Sequence, residues 1–178
     1  MKLYDDKLAP NPRRVRIFLA EKGISVPIET VSIMKGEHRT PDYRAKNPMA
    51  GVPTLELDDG SYISESVAIC RYFEETQPNP PLMGVDAKDK AIVEMWNRRI
   101  ELNLFFTVAN AFRHTHPAMA ALEEQIPQWG ELNKTRIVKM MHWLDREIGA
   151  KPFIAGDRFT IADITALCAV DFARLPRV

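Results

Sequence analysis

The hydrophobic pattern of this chain changes character at a cluster of prolines. Before it, short apolar runs alternate with helical stripes; after it, only helical spacing recurs. Lys2 to Tyr4 reads as a short strand, and Asn11 to Glu21 as a helix carrying Val15, Phe18 and Leu19, with Gly23 as its stop. Ile28, Val31 and Ile33 predict a second strand, and Gly36 to Lys46 a short irregular helix. Thr54 to Leu57 and Tyr62 to Ile63 predict a hairpin around Asp58-Asp59-Gly60, since an Asp-Gly pair supplies the backbone such a turn requires. A third helix opens at Ser64 to Ser66. The sum is a β-α-β unit, an intervening helix and a β-β-α unit, hence a small mixed sheet with a right-handed parallel crossover.

The segment Gln77-Pro78-Asn79-Pro80-Pro81 stops that third helix and reads as a stiff linker. Beyond it, Val93, Trp96, Ile100, Leu104, Val108 and Ala111 recur at three or four residues through a helix of roughly 28 residues. Ile137, Met140, Met141, Leu144 and Ile148 form a second stripe, and Thr160-Ile161-Ala162-Asp163 is a capping-box pattern that opens a further helix. The expected domains are therefore 1–76, mixed α/β, a linker at 77–85, and 86–178, all helical.

Composition narrows the function classes. The chain has 178 residues, 46% hydrophobic, enough for a sizeable core. Its formal net charge is zero and no basic stripe is present, which argues against nucleic acid as a partner. MKLYDDKL has no apolar segment of the kind a secretory signal carries, and no run approaches the ~20 apolar residues of a membrane span, so a cytoplasmic location is expected. Cys70 and Cys168 belong to no C-x-x-C pair, so neither a metal site nor a dithiol centre is expected.

The richest chemistry lies in Asn47-Pro48-Met49-Ala50-Gly51-Val52-Pro53-Thr54-Leu55 and the following Ser64-Glu65-Ser66. Pro53 stands where a strand begins, because proline cannot donate to a sheet ladder, and a cis Val52–Pro53 bond is expected there. Such a bend turns the main chain of Val52 outward, where it can pair with an extended ligand as an added strand. Ser64, Glu65 and Ser66 offer a helix start whose N–H groups can hold a carboxylate. The same serines also suit an ordinary helix cap, with Glu65 a dipole partner.

NPMAGVPTLELDDGSYISESVAICRYFEE resembles the second half of the thioredoxin-like domain of cytosolic glutathione transferases, and LYDDKLAPNPRRVRIFLAEKG resembles its first half. FIAGDRFTIADITALCAVDFA is similar to the capping segment of the family's helical domain. The resemblance implies a thioredoxin-like α/β domain followed by an all-α bundle. It implies glutathione as substrate rather than cofactor, an apolar electrophile as second substrate, a homodimer and a role in detoxification. By resemblance Glu65 takes the γ-glutamyl amine, Ser66 its carboxylate, Val52 with Pro53 the cysteinyl main chain, and His38, expected to be exposed in a loop, the glycyl carboxylate.

Ala9-Pro10-Asn11 departs from the pattern, since many relatives carry a hydroxyl there and Ala9 has no donor. The tripeptide resembles the Thr-Pro-Asn of bacterial nu-class members, and the motifs as a whole resemble nu-, theta- and zeta-like members. Lowering a thiol from about 8.5 to about 6.5 needs ~2.7 kcal/mol of thiolate stabilisation. Asn11 is the expected catalytic contact, through its amide or the N–H groups that follow; the alternative is that it caps the first helix with Pro12 at N1. Phe105, Phe106, Phe112 and Arg113, off the main stripe, are expected to line an apolar second-substrate pocket facing the sheet domain. Met95, Leu102 and Phe105 form a second apolar face suited to a dimer. A glutathione-dependent isomerase or dehalogenase, or a binding or scaffolding module that keeps the fold and has lost catalysis, are the alternatives. Relatives continue beyond Val178, so the chain is expected to be truncated or naturally short, with some apolar surface of its last helix uncovered.

Overall fold

The computed structural model describes residues 1–177 as two compact units, Met1–Leu82 and Met83 onward, dividing just past the proline-rich stretch. The first unit runs β1 (Lys2–Asp5), α1 (Pro10–Glu21), β2 (Ile28–Thr30), a 3₁₀ turn at Glu37–Arg39, α2 (Pro41–Lys46), β3 (Thr54–Glu56), β4 (Tyr62–Ser64) and α3 (Ser66–Thr76). The sheet order is β2-β1-β3-β4, with β1 parallel to β2 and antiparallel to β3, and β3 antiparallel to β4. This is the thioredoxin-like arrangement. β2 ends sooner than the apolar pattern suggested: Val31 and Ile33 leave the ladder, although Val31 N–H still reaches the Asp5 carbonyl at 2.8 Å.

Helices α1 and α3 pack together, burying Val15, Phe18, Ile69 and Phe73 with Leu3 and Leu55 of the sheet. Lys22, just past α1, sits in this unit with its side chain fully buried. Its Nζ pairs with Glu74 at 2.7 Å and donates to the carbonyls of Gln77 at 2.7 Å and Pro80 at 2.8 Å. A buried ammonium is tolerable only with such a complete set of acceptors. It ties the end of α3 and the linker to α1.

The second unit contains α4 (Ala87–Ile100), a π-helical turn at Glu101–Phe105, α5 (Phe106–Thr115), a 3₁₀ turn at Pro117–Met119, α6 (Pro127–Ile148) and α7 (Ile161–Ala173). The long helix expected from the stripe is present, and Val93, Trp96, Ile100, Leu104, Val108 and Ala111 are all buried. The π turn is what periodicity could not supply. Its wider i→i+5 bonding changes the register of the residues that follow, and Leu104 and Phe105 are both buried. Phe105, expected in a pocket or on a dimer face, is instead core, 3% exposed with its ring 6.2 Å from that of Phe172. Met95 and Leu102 do stay exposed. Helix α6 approaches α5 so closely at Gly130 that an added Cβ would lie 2.4 Å from Thr115 Cγ2. On α7, Leu167 and Val170 are exposed. Among the described residues no helix is long and apolar enough to cross a membrane.

Candidate functional site

The strand register gathers the expected site residues at one end of the sheet. Tyr4 pairs with Thr54 and Thr54 with Ser64, while Asp5 pairs with Thr30. The chain leaving β1 toward Asn11, the chain leaving β2 toward His38, the chain entering β3 through Val52, and the chain leaving β4 into Glu65 and Ser66 therefore all emerge at that end. Residues far apart in sequence meet there because parallel β1 and β2, and antiparallel β3 and β4, present matching ends.

The approach to β3 is held by a buried polar knot. The carbonyl of Gly51 accepts from Tyr43 Oη at 2.7 Å and Asn47 Nδ2 at 2.9 Å, and Thr54 Oγ1 lies 3.0 Å from Tyr43 Oη and 3.2 Å from Asn47 Nδ2. Asn47 Oδ1 accepts from Met49 N–H at 3.1 Å, and Ala50 N–H donates to the Asn47 carbonyl, closing the turn. Tyr43, Asn47 and Thr54 are all buried. The Val52–Pro53 bond is cis, as is Asn79–Pro80. Following Gly51, Val52 has its side chain in the cluster of Tyr4, Val31 and Tyr43, whereas its N–H and C=O make no hydrogen bond among the described residues. A main-chain pair left open beside a strand start suits an extended ligand.

Helix α3 begins without a side-chain cap. Glu65, its N-cap, is exposed with φ 67° and ψ 117°, a backbone that costs a non-glycine residue on the order of 1–3 kcal/mol. The first helical bond runs from Ile69 N–H to the Glu65 carbonyl at 3.0 Å, so the N–H groups of Ser66, Val67 and Ala68 have no helical acceptor. Ser66 is 4% exposed and its hydroxyl caps nothing. The capping alternative for Ser64 and Ser66 is therefore absent from this helix. Unmet donors beside a strained carboxylate form a place for an anion with an adjoining cation.

The start of α1 is built differently. The helix begins at Pro10 with Ala9 as N-cap, so Asn11 lies inside the first turn and is not the cap residue; the cap alternative fails because the helix starts two residues before Pro12. Pro10 and Pro12 have no N–H, and Arg13 N–H reaches the Ala9 carbonyl at 3.3 Å. The backbone donor left in that turn is the N–H of Asn11. The half-buried side chain of Asn11 accepts through Oδ1 from Arg14 at 2.7 Å, and its Nδ2 meets no acceptor among the described residues. Nearby, Asp5 is held by both oxygens on Arg16 Nη1 at 2.5 and 2.6 Å; burial nevertheless raises its pKa, outweighing that contact.

Tyr4 offers nothing to a thiolate. Its hydroxyl donates to Glu56 at 2.6 Å, and burial followed by that bond pushes its pKa up to about 12. His38 is buried, 8% exposed, in the 3₁₀ turn rather than exposed in a loop. Burial first, then neighbouring Arg39, lowers its pKa, and its Nδ1 is enclosed without a partner. A ring kept neutral in this way is a poor charge complement for a carboxylate.

In the helical unit, Phe106 is 50% exposed, the Phe112 ring lies tilted against those of His116 at 4.7 Å and Phe172 at 5.2 Å, and Arg113 lies 3.6 Å from Glu123. At the start of α7, Asp163 accepts from Thr160 N–H at 2.8 Å and Ile154 N–H at 2.9 Å, the structural role its pattern indicated. Arg14, Tyr43, Asn47 and Thr54 were not singled out as site residues by sequence. For Arg14 a signal existed, three positions after Asn11 on one helix face.

Residues 9–76 match the family model for the glutathione S-transferase N-terminal domain, and residues 127–178 the model for its C-terminal domain. The chain is 37% identical to glutathione S-transferase 2 of Saccharomyces cerevisiae, with all of this chain and 78% of that protein aligned. It is 32% identical to a maleylacetoacetate isomerase of Pseudomonas aeruginosa, over 92% of this chain and 77% of the relative. A crystal structure of a glutathione S-transferase domain-containing protein from Marinobacter aquaeolei superposes with a TM-score of 0.93 at 43% identity, covering 99% of this chain and 88% of that one. With the sheet end, the open Val52 main chain and the uncapped α3 start, these likenesses place the chain in the glutathione S-transferase family, as a glutathione transferase.

Proposed function

We propose that the chain binds glutathione across the end of its sheet, ionises the thiol at the start of α1, and presents the thiolate to an apolar electrophile. The observation that carries this is the pair of open features that the β3–β4 register brings together: the unbonded main chain of Val52 and the unbonded N–H groups of α3. Val52 pairs with the cysteinyl segment, with Pro53 fixing the loop. Ser66 and the N–H groups beside it take the γ-glutamyl carboxylate, and Glu65 takes the adjoining ammonium. Charge-assisted bonds of this kind contribute about 1.5–3 kcal/mol each.

Asn11 donates to the sulfur through Nδ2, assisted by its own N–H and the dipole of α1. Neutral His38 contacts the glycyl end as a hydrogen-bonding group rather than as a cation. The thiolate then attacks the electrophilic carbon, its sulfur lone pair forming the new C–S bond while the leaving group departs with its electron pair. Within the helical unit Arg113 is already engaged with Glu123. A homodimer, a cytoplasmic location and a detoxifying role accompany this reading. The 32% identity to an isomerase supports a second reading, in which the same thiolate adds to and leaves an unsaturated substrate.

Calorimetry with glutathione, followed by conjugation assays on aryl halides and isomerisation assays on cis-enones, tests the proposal. Binding with conjugation is the expected result, and isomerisation alone supports the second reading. Absence of binding would indicate a scaffold.

A further inference from the structure

We infer that Arg14 is a positioning residue for the thiolate, acting through the Asn11 side chain. This inference rests on the proposed role of Asn11 and extends it to the group that determines which end of the amide can face the sulfur.

A carboxamide can be turned end for end with little change of shape, so an asparagine donates to a thiolate only when something holds its oxygen elsewhere. Arginine is suited to do so. A guanidinium carries only donors and never an acceptor, so the Asn11 atom facing Arg14 Nη2 at 2.7 Å must be Oδ1. Both hydrogens of Nδ2 are then directed away from Arg14, and Nδ2 has no acceptor among the described residues. Arg14 is itself fixed: it is 4% exposed, on the α1 face that also buries Val15 and Phe18. The spacing of three residues along the helix brings the two side chains together. Because Pro10 and Pro12 remove backbone donors from the same turn, the orientation of this one amide carries more weight here than at an ordinary helix start.

The bond to a cation also polarises the amide. With Oδ1 drawn toward a guanidinium, the Nδ2 hydrogens become more positive and stronger donors to an anionic sulfur. Removal of Arg14 would free the amide to rotate and present its oxygen, which a thiolate repels.

The test is a double-mutant cycle read by ultraviolet titration of the thiolate of bound glutathione, on Asn11→Ala, Arg14→Met, the double variant and Arg14→Gln. Arg14→Met is expected to raise the thiol pKa by about as much as Asn11→Ala, roughly one unit, and the double variant by no more than either alone. Arg14→Gln keeps a donor for Oδ1 without the charge and is expected to recover at least half of the shift. Additive shifts would overturn the inference in favour of a direct effect of the Arg14 charge, and so would an unchanged pKa in Arg14→Met. An unchanged pKa in Asn11→Ala would overturn the Asn11 assignment itself, and with it this inference. Should Arg14→Met fail to fold, the Nδ2 proton signals of Asn11 in the unaltered protein supply the reading. Two slowly exchanging resonances that move on adding glutathione support the inference, and a freely rotating amide overturns it.

Discussion

Helices α3 and α7 begin with the same chemistry, a hydroxyl residue and an acid, yet use it in opposite ways. At α7, Thr160 Oγ1 accepts from Ala162 N–H at 3.3 Å, and Asp163 closes back on Thr160 N–H while also holding Ile154 N–H. The Thr160 hydroxyl and both Asp163 oxygens there face other groups of the chain. At α3, Glu65 precedes Ser66 instead of following it by three, so no reciprocal box can form. The donors stay open and the backbone at Glu65 is strained. The order of two residue types thus separates a helix start that holds the fold from one that is available to a ligand. The start of α1 is a third case, in which Pro10 and Pro12 leave the N–H of Asn11 as the backbone donor and Arg14 holds the Asn11 side-chain oxygen.

Asp163→Ala should have the largest effect and only on stability. It deprives the N–H groups of Thr160 and Ile154 of their acceptor, an expected cost of about 3 kcal/mol in denaturant unfolding, with glutathione affinity unchanged in the folded fraction. Glu65→Ala combined with Ser66→Ala should do the reverse. The dissociation constant of glutathione should rise at least tenfold, more than about 1.4 kcal/mol, while the unfolding midpoint barely moves. A strong loss of stability with unaltered affinity would show α3 to be a cap after all.

Asn11→Ala should raise the pKa of bound glutathione by about one unit, equivalent to roughly 1.4 kcal/mol, and slow conjugation at neutral pH with recovery at alkaline pH. Asn11→Asp should be worse, because a carboxylate keeps an acceptor for Arg14 but places a negative charge beside the sulfur.

His38 gives the smallest effect, visible in pH dependence. Its pKa in the folded chain lies below the ordinary 6.5. As pH falls through 6.5 the unfolded chain takes up the proton first, so stability declines until the folded-state pKa is passed. Above 6.5 the contribution is fully present. His38→Asn should remove that component of the decline, measured by denaturant unfolding at pH 7 and pH 5.

Much of this architecture was legible in the sequence because it rests on local periodicity and turn chemistry. The stripe from Val93 to Ala111, the hairpin about Gly60 and the Thr160 box each combine residues within a few turns of one another. What escaped depends on partners distant in sequence or on backbone detail. Burial of His38 comes from packing around a 3₁₀ turn that no periodicity marks. The inward position of Phe105 follows from a π turn, which an ideal 3.6-residue period cannot express. Tyr43 and Thr54 look like ordinary α2 and β3 residues until the Gly51 carbonyl brings them together. Lys22 reads as a solvent-facing lysine near a helix end, and its acceptors at Gln77 and Pro80 lie over fifty residues away. The candidate site residues rest on motif and resemblance; the neighbours that contact them, Arg14 beside Asn11 and Tyr43 and Thr54 beside Gly51, were not marked by either.

The contrast between open and closed helix starts is tested most directly by amide NMR of the ¹⁵N-labelled protein titrated with glutathione. The N–H signals of Val52, Ser66, Val67 and Ala68 should shift and become protected from exchange, while those of Thr160 and Ala162 stay fixed. Binding that leaves Val52 and the α3 amides unmoved, or no binding at all, would contradict the account.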